Sequence, residues 1–292
     1  MFTNEGRNMK KAKTTFSVLI AYAILILVAV VTIFPIFSLI ASSFKSSVEI
    51  LTQPAHILPE KWTIEGYKRA LESENFDFFR MAFNSMWYSA ASVVINLFIS
   101  AMSGYVFSRG QFRGKKVIFT VFSALMFISM GSVTTYPTLR LVSKLGLSNS
   151  LYGLLFVQCF GIPITNMYIV RGYMNSLPKE LDEAAIIDGC SFASVLFRIH
   201  LPLLKPALST IGILTFNAAW NSYLMPSIYT MNNPKQQPLM VGIQVLRNSA
   251  ESATSWDILF AATTLSILPT LLVFAFFNKL MVDGVTSGSV KG

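Results

Sequence analysis

The chain has 292 residues, of which 53% are hydrophobic and 13% are charged, with a formal net charge of +9. Soluble domains carry about 25% charged residues, so this composition argues against an ordinary soluble enzyme and for a membrane protein. The cations gather in short connections beside apolar segments, which explains the positive charge without a nucleic-acid partner.

Arg7, Lys10, Lys11 and Lys13 precede the first window free of Asp, Glu, Lys and Arg, Thr14–Phe44. Residues 1–13 therefore read as a cytoplasmic N-terminus and 14–44 as an uncleaved first transmembrane helix. The window is too long for a signal peptide, whose apolar region runs about 7–15 residues. Residues 45–75 form a mixed-charge extracytoplasmic connection, broken by Pro54 and Pro59, with Trp62 and Tyr67 available for the membrane interface. Five further charge-free windows follow: Met81–Ser108, Val117–Leu139, Leu145–Val170, Pro206–Pro234 and Ile258–Asn278. Each can hold the roughly 20 apolar residues that cross about 30 Å of hydrocarbon. Arg109, Arg113, Lys115 and Lys116 crowd the connection after the second window, so the positive-inside rule places both termini in the cytoplasm. The expected fold is an all-α polytopic membrane protein of six transmembrane helices. Residues 76–280 form a five-span block, and 281–292 a cytoplasmic tail.

The connection between the fourth and fifth windows is patterned. Pro178, Glu180, Asp182 and Glu183 suit the positive end of a helix dipole, and predict a short helix from about Leu177. Ala184, Ala185, Ile186 and Ile187 continue it, and Gly189 is placed to end it in the left-handed conformation. Ser191 then caps a second short helix, with Phe192, Val195, Leu196 and Ile199 at i, i+3, i+4 and i+7, which Pro202 and Pro206 stop. Two readings stand side by side: a connecting pair lying on the membrane surface, and a docking element for another protein. Adjacent alanines and acidic residues fit docking better, because a surface-lying helix prefers bulky apolar groups opposite lysine.

None of the windows holds an acidic, basic or histidine side chain, whereas ion-driven carriers place such groups at membrane depth. Neutral groups remain: Asn84, Asn96, Gln158, Asn166, Asn217 and Asn221, with Trp220, Tyr223 and Tyr136 as aromatic platforms. Asn217, Trp220, Asn221 and Tyr223 fall within two turns, and amides beside rings suit the hydroxyl edges and C–H faces of sugars. The alternative is that the asparagines bond across neighbouring helices and Trp220 is packing. His56 and His200 lie outside the windows, and Cys159 and Cys190 lie at different depths, so neither a catalytic set, a disulfide nor a metal site is expected. The stretch Gly110–Lys116 has the wrong spacing for a phosphate loop, so this chain is not expected to bind ATP or any cofactor.

Glu183-Ala184-Ala185, Gly189 and then Ile199, Leu201 and Pro202 resemble the signature of membrane subunits of binding-protein-dependent (type I) ABC importers. The likeness extends to Leu177–Asp182, to Trp220-Asn221 and to the tail Gly284–Gly292, which is similar to the carbohydrate-importer branch. It covers about Phe76 to Gly292. The resemblance implies that the helix at about 177–189, with Glu183, Ala184, Ala185, Asp188 and Gly189, couples to a cytoplasmic ATPase that binds ATP and Mg. It further implies a second homologous permease subunit, two ATPase subunits, an extracytoplasmic solute-binding protein, a carbohydrate cargo and a bacterial cell membrane location. In relatives the tail can enter the ATPase interface, which here would involve Lys291-Gly292. A charged cargo such as a polyamine, or a stand-alone secondary carrier, is the alternative.

Overall fold

The computed structural model describes residues 2–72, 76–128, 131–248 and 256–289, and every regular element among them is helical. The chain divides into two units, Met1–Glu74 with Ser249–Leu265, and Asn75–Asn248 with Ser266–Gly292. The end of the tail, residues 290–292, lies outside the described residues.

The first unit begins with α1 (Phe2–Ser42). Its most apolar stretch, within Val18–Ser42, has a mean hydropathy of 2.9 and buries nothing against protein. A helix apolar on all sides and unpartnered by protein is one whose solvent is lipid. Beyond it the chain turns into a polar lock. The Ser43 hydroxyl donates to the Ile40 carbonyl and lies 2.6 Å from the Tyr67 hydroxyl. Phe44 packs its ring on Trp62 and Tyr67, and the buried Lys45 ammonium donates to the His56 carbonyl. α2 (Ser47–Thr52) is capped by Ser46, whose hydroxyl accepts from the Glu49 N–H. α3 (Glu65–Glu72) supplies Arg69, which pairs with the buried Asp257, and Ser47 donates to the same carboxylate at 2.6 Å.

The second unit is built round α4 (Phe78–Arg109), which starts under an Asp77 cap. Its buried face carries Ser85, Ser89, Ser92, Ser100 and Gly104, small residues that let neighbouring backbones approach. After α5 (Lys115–Leu125), a 3₁₀ turn (Gly131–Thr134) and α6 (Thr135–Lys144) come α7 (Leu151–Phe160) and α8 (Ile164–Ser176). The connection holds α9 (Glu180–Ile187), α10 (Phe192–Val195) and α11 (Leu201–Leu203), and leads into α12 (Lys205–Trp220). α13 (Leu224–Tyr229), α14 (Leu239–Asn248) and α15 (Trp256–Ser289) complete the order. α4 packs against α7, α8, α12 and α14. Polar side chains act as glue between these helices: Asn166 donates to Asn96 at 2.8 Å, Gln158 to the Tyr88 hydroxyl at 3.2 Å, and Asn84 to the Lys235 and Gln237 carbonyls.

The six expected spans do not appear as six helices. Three helices are long and apolar enough to cross a bilayer, within Val18–Ser42, Phe78–Arg109 and Trp256–Phe277, and two bent pairs raise the number to five among the described residues. The window Val117–Leu139 is divided between α5, the 3₁₀ turn and α6, with Pro137 seated in the first turn of α6, where its missing N–H costs nothing. The window Leu145–Val170 bends by 46° between α7 and α8, at Gly161–Pro163. The window Pro206–Pro234 loses its helix after Trp220, and the chain on its other side bends by 78° between Phe192–Leu203 and Lys205–Trp220. Charge-free composition marks what lipid tolerates; it does not register backbone breaks such as those at Gly161–Pro163 and after Trp220.

Candidate functional site

The most built part of the second unit is the connection between α8 and α12. α9 begins at Glu180, three residues later than the sequence predicts, because Pro178 and the extended Leu177 lie outside the helix. Glu180, Asp182 and Glu183 occupy its first turn, where carboxylates face the positive end of the dipole. Its end follows the Schellman pattern. Gly189 takes φ +78°, its N–H donates to the Ile186 carbonyl at 3.0 Å, and the Cys190 N–H donates to the Ala185 carbonyl at 2.9 Å.

Ser191 then accepts from the Ser194 N–H and opens α10. Pro202 does not stop the second helix as expected. Leu196–His200 form a π turn, in which the Leu201 N–H reaches back to the Leu196 carbonyl, and the helix runs on through Pro202 to Leu203. A proline ring clashes with the carbonyl four residues earlier; widening the preceding turn removes that carbonyl from its path. The chain direction changes at Leu204, just before Pro206.

These short helices are clamped to the longer ones. Tyr105 on α4, Val170 and Met174 on α8, and Ile211 on α12 form one buried cluster with Ala185, Val195, Leu196 and Leu204. Tyr105 packs at a tilt on Phe192 with centroids 4.3 Å apart, and its hydroxyl donates to the Phe192 carbonyl at 3.1 Å. Ala185 is the buried position of α9, while Glu183, Ala184, Asp188 and Gly189 are exposed. Ile186 and Ile187 stand 65% and 85% exposed, so the helix turns an apolar ridge edged by acids away from the body of the unit. Ile199 and Leu201 are half-buried, and Pro202 is exposed on the wall of an apolar groove that it shares with Phe197 and Phe216.

Sequence reasoning missed the polar contact beneath this ridge. Asp182 points inward, with Oδ1 2.5 Å from His200 Nε2 and Oδ2 2.8 Å from Arg109 Nε at the end of α4. The Arg109 N–H is not aimed along the line to Oδ2, so charge and not an aligned hydrogen bond holds that pair; the guanidinium also donates to the Leu177 carbonyl at 3.0 Å. His200 is fully buried and its Nδ1 has no partner. A carboxylate only accepts, so Nε2 carries the proton. No periodicity connects Asp182 to Arg109 or His200, which is why the pattern of the sequence is silent about them. Beside this contact lies a crevice of about 450 Å³ between Arg109, Lys115, Lys179, Glu183 and Phe192. Burial, then the charges of Arg171 and Lys179, hold the Lys115 ammonium below its ordinary pKa.

The neutral residues proposed for a sugar divide. Asn217 and Asn221 are exposed and joined, Asn221 donating to the Asn217 side chain at 2.8 Å. Tyr223 and Tyr136 are also exposed, at 39% and 70%. Trp220 is buried, stacks on Phe216 and donates through Nε1 to the Ser266 carbonyl at 3.1 Å. Among the described residues no three His, Cys, Asp or Glu side chains are grouped to hold a metal ion.

The family model described as binding-protein-dependent transport system inner membrane component matches residues 78–287. The chain is 28% identical to the inner membrane ABC transporter permease protein YcjP of Escherichia coli, over 97% of this chain and 100% of that one. It is 30% identical to the arabinooligosaccharides transport system permease protein AraQ of Halalkalibacterium halodurans, over 91% and 93%. Its fold is similar to that of a chain in the crystal structure of a bacterial ABC transporter involved in the import of the acidic polysaccharide alginate, with a TM-score of 0.78, 24% identity, and 92% and 97% of the two chains covered.

Proposed function

We propose, because the chain belongs to the family of binding-protein-dependent transport system inner membrane components, that it is the translocation subunit of an ATP-driven importer in a bacterial cell membrane and that its cargo is a carbohydrate. The observation that carries this reading is the α9 ridge. Ile186 and Ile187 face outward on a helix whose other side is anchored through Ala185 and Asp182. Two large apolar side chains so exposed on a rigid support are a contact waiting for protein, and we assign that protein as a cytoplasmic ATPase. In this arrangement both termini are cytoplasmic, and α5 to α6 and the two bent pairs provide the spans that complete six. A second homologous permease, two ATPase subunits that bind ATP and Mg, and an extracytoplasmic binding protein complete the importer.

Coupling then follows from stiffness. Closure of the ATPases displaces α9, and the buried cluster round Tyr105 passes the displacement to α4, α8 and α12 as one packed body. The spans need supply no ion site, and their apolar windows hold none. Carbohydrate is favoured as cargo by the neutral, hydrogen-bonding character of the exposed Asn217, Asn221 and Tyr223, and by relatives named for arabinooligosaccharide transport. The test is uptake by cells lacking this chain, supplied in turn with arabino-oligosaccharides, alginate oligosaccharides and spermidine. Loss of uptake of an oligosaccharide, restored by the chain together with its ATPase, is expected. Loss of spermidine uptake alone, or transport by the chain alone in liposomes, overturns the reading.

A further inference from the structure

The contact beneath α9 assigns a role to three side chains that the docking ridge does not use. We propose that Asp182 is a positioning residue for energy coupling: one carboxylate ties α9 both to the end of α4, through Arg109, and to the π turn leading into α12, through His200. The inference rests on reading α9 as the element on which an ATPase pushes.

The geometry makes the contact specific. The side chains of Arg109, Asp182 and His200 are 9%, 16% and 0% exposed, so the charges act with little screening by water. Asp182 has two oxygens, and each is directed to a different element. Arg109 secures the N-terminal approach as well, by donating to the Leu177 carbonyl. His200 sits where the helix is already widened to pass Pro202. The bond to Asp182 fixes that turn at its end. Apolar contact through Ala185 and Tyr105 would let α9 slide; one carboxylate held by a hydrogen bond to His200 and by the charge of Arg109 sets its register. A push on the Ile186–Ile187 ridge therefore moves α4 and α12 together. Without the tie the push is spent in local rotation of α9.

The test uses the assembled importer, with both permeases, ATPase and binding protein, in proteoliposomes. The readout is uptake per ATP hydrolysed from a mixture of radiolabelled arabino- and alginate oligosaccharides. Asp182→Asn removes the charge and keeps the shape, and is expected to lower uptake per ATP at least about fivefold while ATP hydrolysis continues, a change within the range seen for residues that carry coupling. His200→Leu should act in the same direction. His200→Gln, whose amide can donate to the carboxylate, should restore the ratio, a rescue that a space-filling role would not distinguish from leucine. An unchanged ratio in Asp182→Asn overturns the proposal. If that variant fails to assemble, the histidine pair decides, and equal ratios in Leu and Gln overturn it. No ATP-driven uptake by the wild-type complex overturns the importer reading itself, which separates the two failures.

Discussion

Gly104 and Val170 stand closer than two side chains could: a Cβ on Gly104 would lie 2.5 Å from Val170 Cγ1 and 3.2 Å from the Arg171 nitrogen. α4 and α8 meet there, and Val170 belongs to the cluster that seats α9, so the spacing of two long helices and the seat of α9 depend on one missing methyl group. Gly104→Ala is expected to destabilise the protein by about 1–3 kcal/mol through overpacking. Val170→Ala in the same chain should recover part of that loss. Thermal unfolding in detergent of the single and double variants checks both statements.

At Gly189 the cost is of another kind. No atom lies within 4 Å of where its Cβ would be, so space is free and only the φ of +78° resists a side chain. Gly189→Ala should therefore lose about 1–2 kcal/mol of local stability and keep transporting. Gly189→Pro cannot reach that φ and removes the N–H that bonds to the Ile186 carbonyl. It should remain in the membrane but lose ATP-driven uptake. Wild-type uptake in the proline variant would remove the docking role from α9.

The ridge itself is open to a charge test. Ile187 is 85% exposed, so Ile187→Asp should leave thermal stability within about 0.5 kcal/mol. An unpaired carboxylate pressed into an apolar contact costs at least about 2 kcal/mol, which is roughly 30-fold or more in affinity. The expected result is a normally folded permease that no longer copurifies with its ATPase; undiminished copurification counts against the assignment of this surface.

Asn217 and Trp220 separate packing from cargo contact. Trp220→Phe keeps the ring stacking on Phe216 but loses the bond to the Ser266 carbonyl, so about 1 kcal/mol of stability should go with little change in uptake. Asn217→Ala and Asn221→Ala remove exposed amides and should raise the KM for oligosaccharide uptake about fivefold each, the equivalent of one lost hydrogen bond. Unchanged KM in both asparagine variants would assign that pair to helix packing.

Local signals were legible wherever one residue type is needed at one place. Gly189 had to be where a helix ends with positive φ, and Ser191 where the next begins; both are there. The acidic first turn of α9 was equally plain, although its start was placed three residues early, since Pro178 can either open a helix or precede one. Pro202 was misread for a related reason: a proline stops an α-helix, but a π turn ahead of it lets the helix continue, and nothing in the residue types announces that turn.

By itself the sequence determined that this is a helical membrane protein, because a chain so poor in charge has only lipid as a favourable environment for its long apolar windows. It determined also where α9 ends and α10 begins, because Gly189 and Ser191 are specified by the backbone conformation they adopt. Only the tertiary structure decided how those windows are divided by breaks, that Trp220 faces inward, and that Asp182 lies between Arg109 and His200. Backbone conformation is a property of neighbours along the chain, whereas the pairing of a carboxylate with partners 73 and 18 residues away depends on how the helices pack in space.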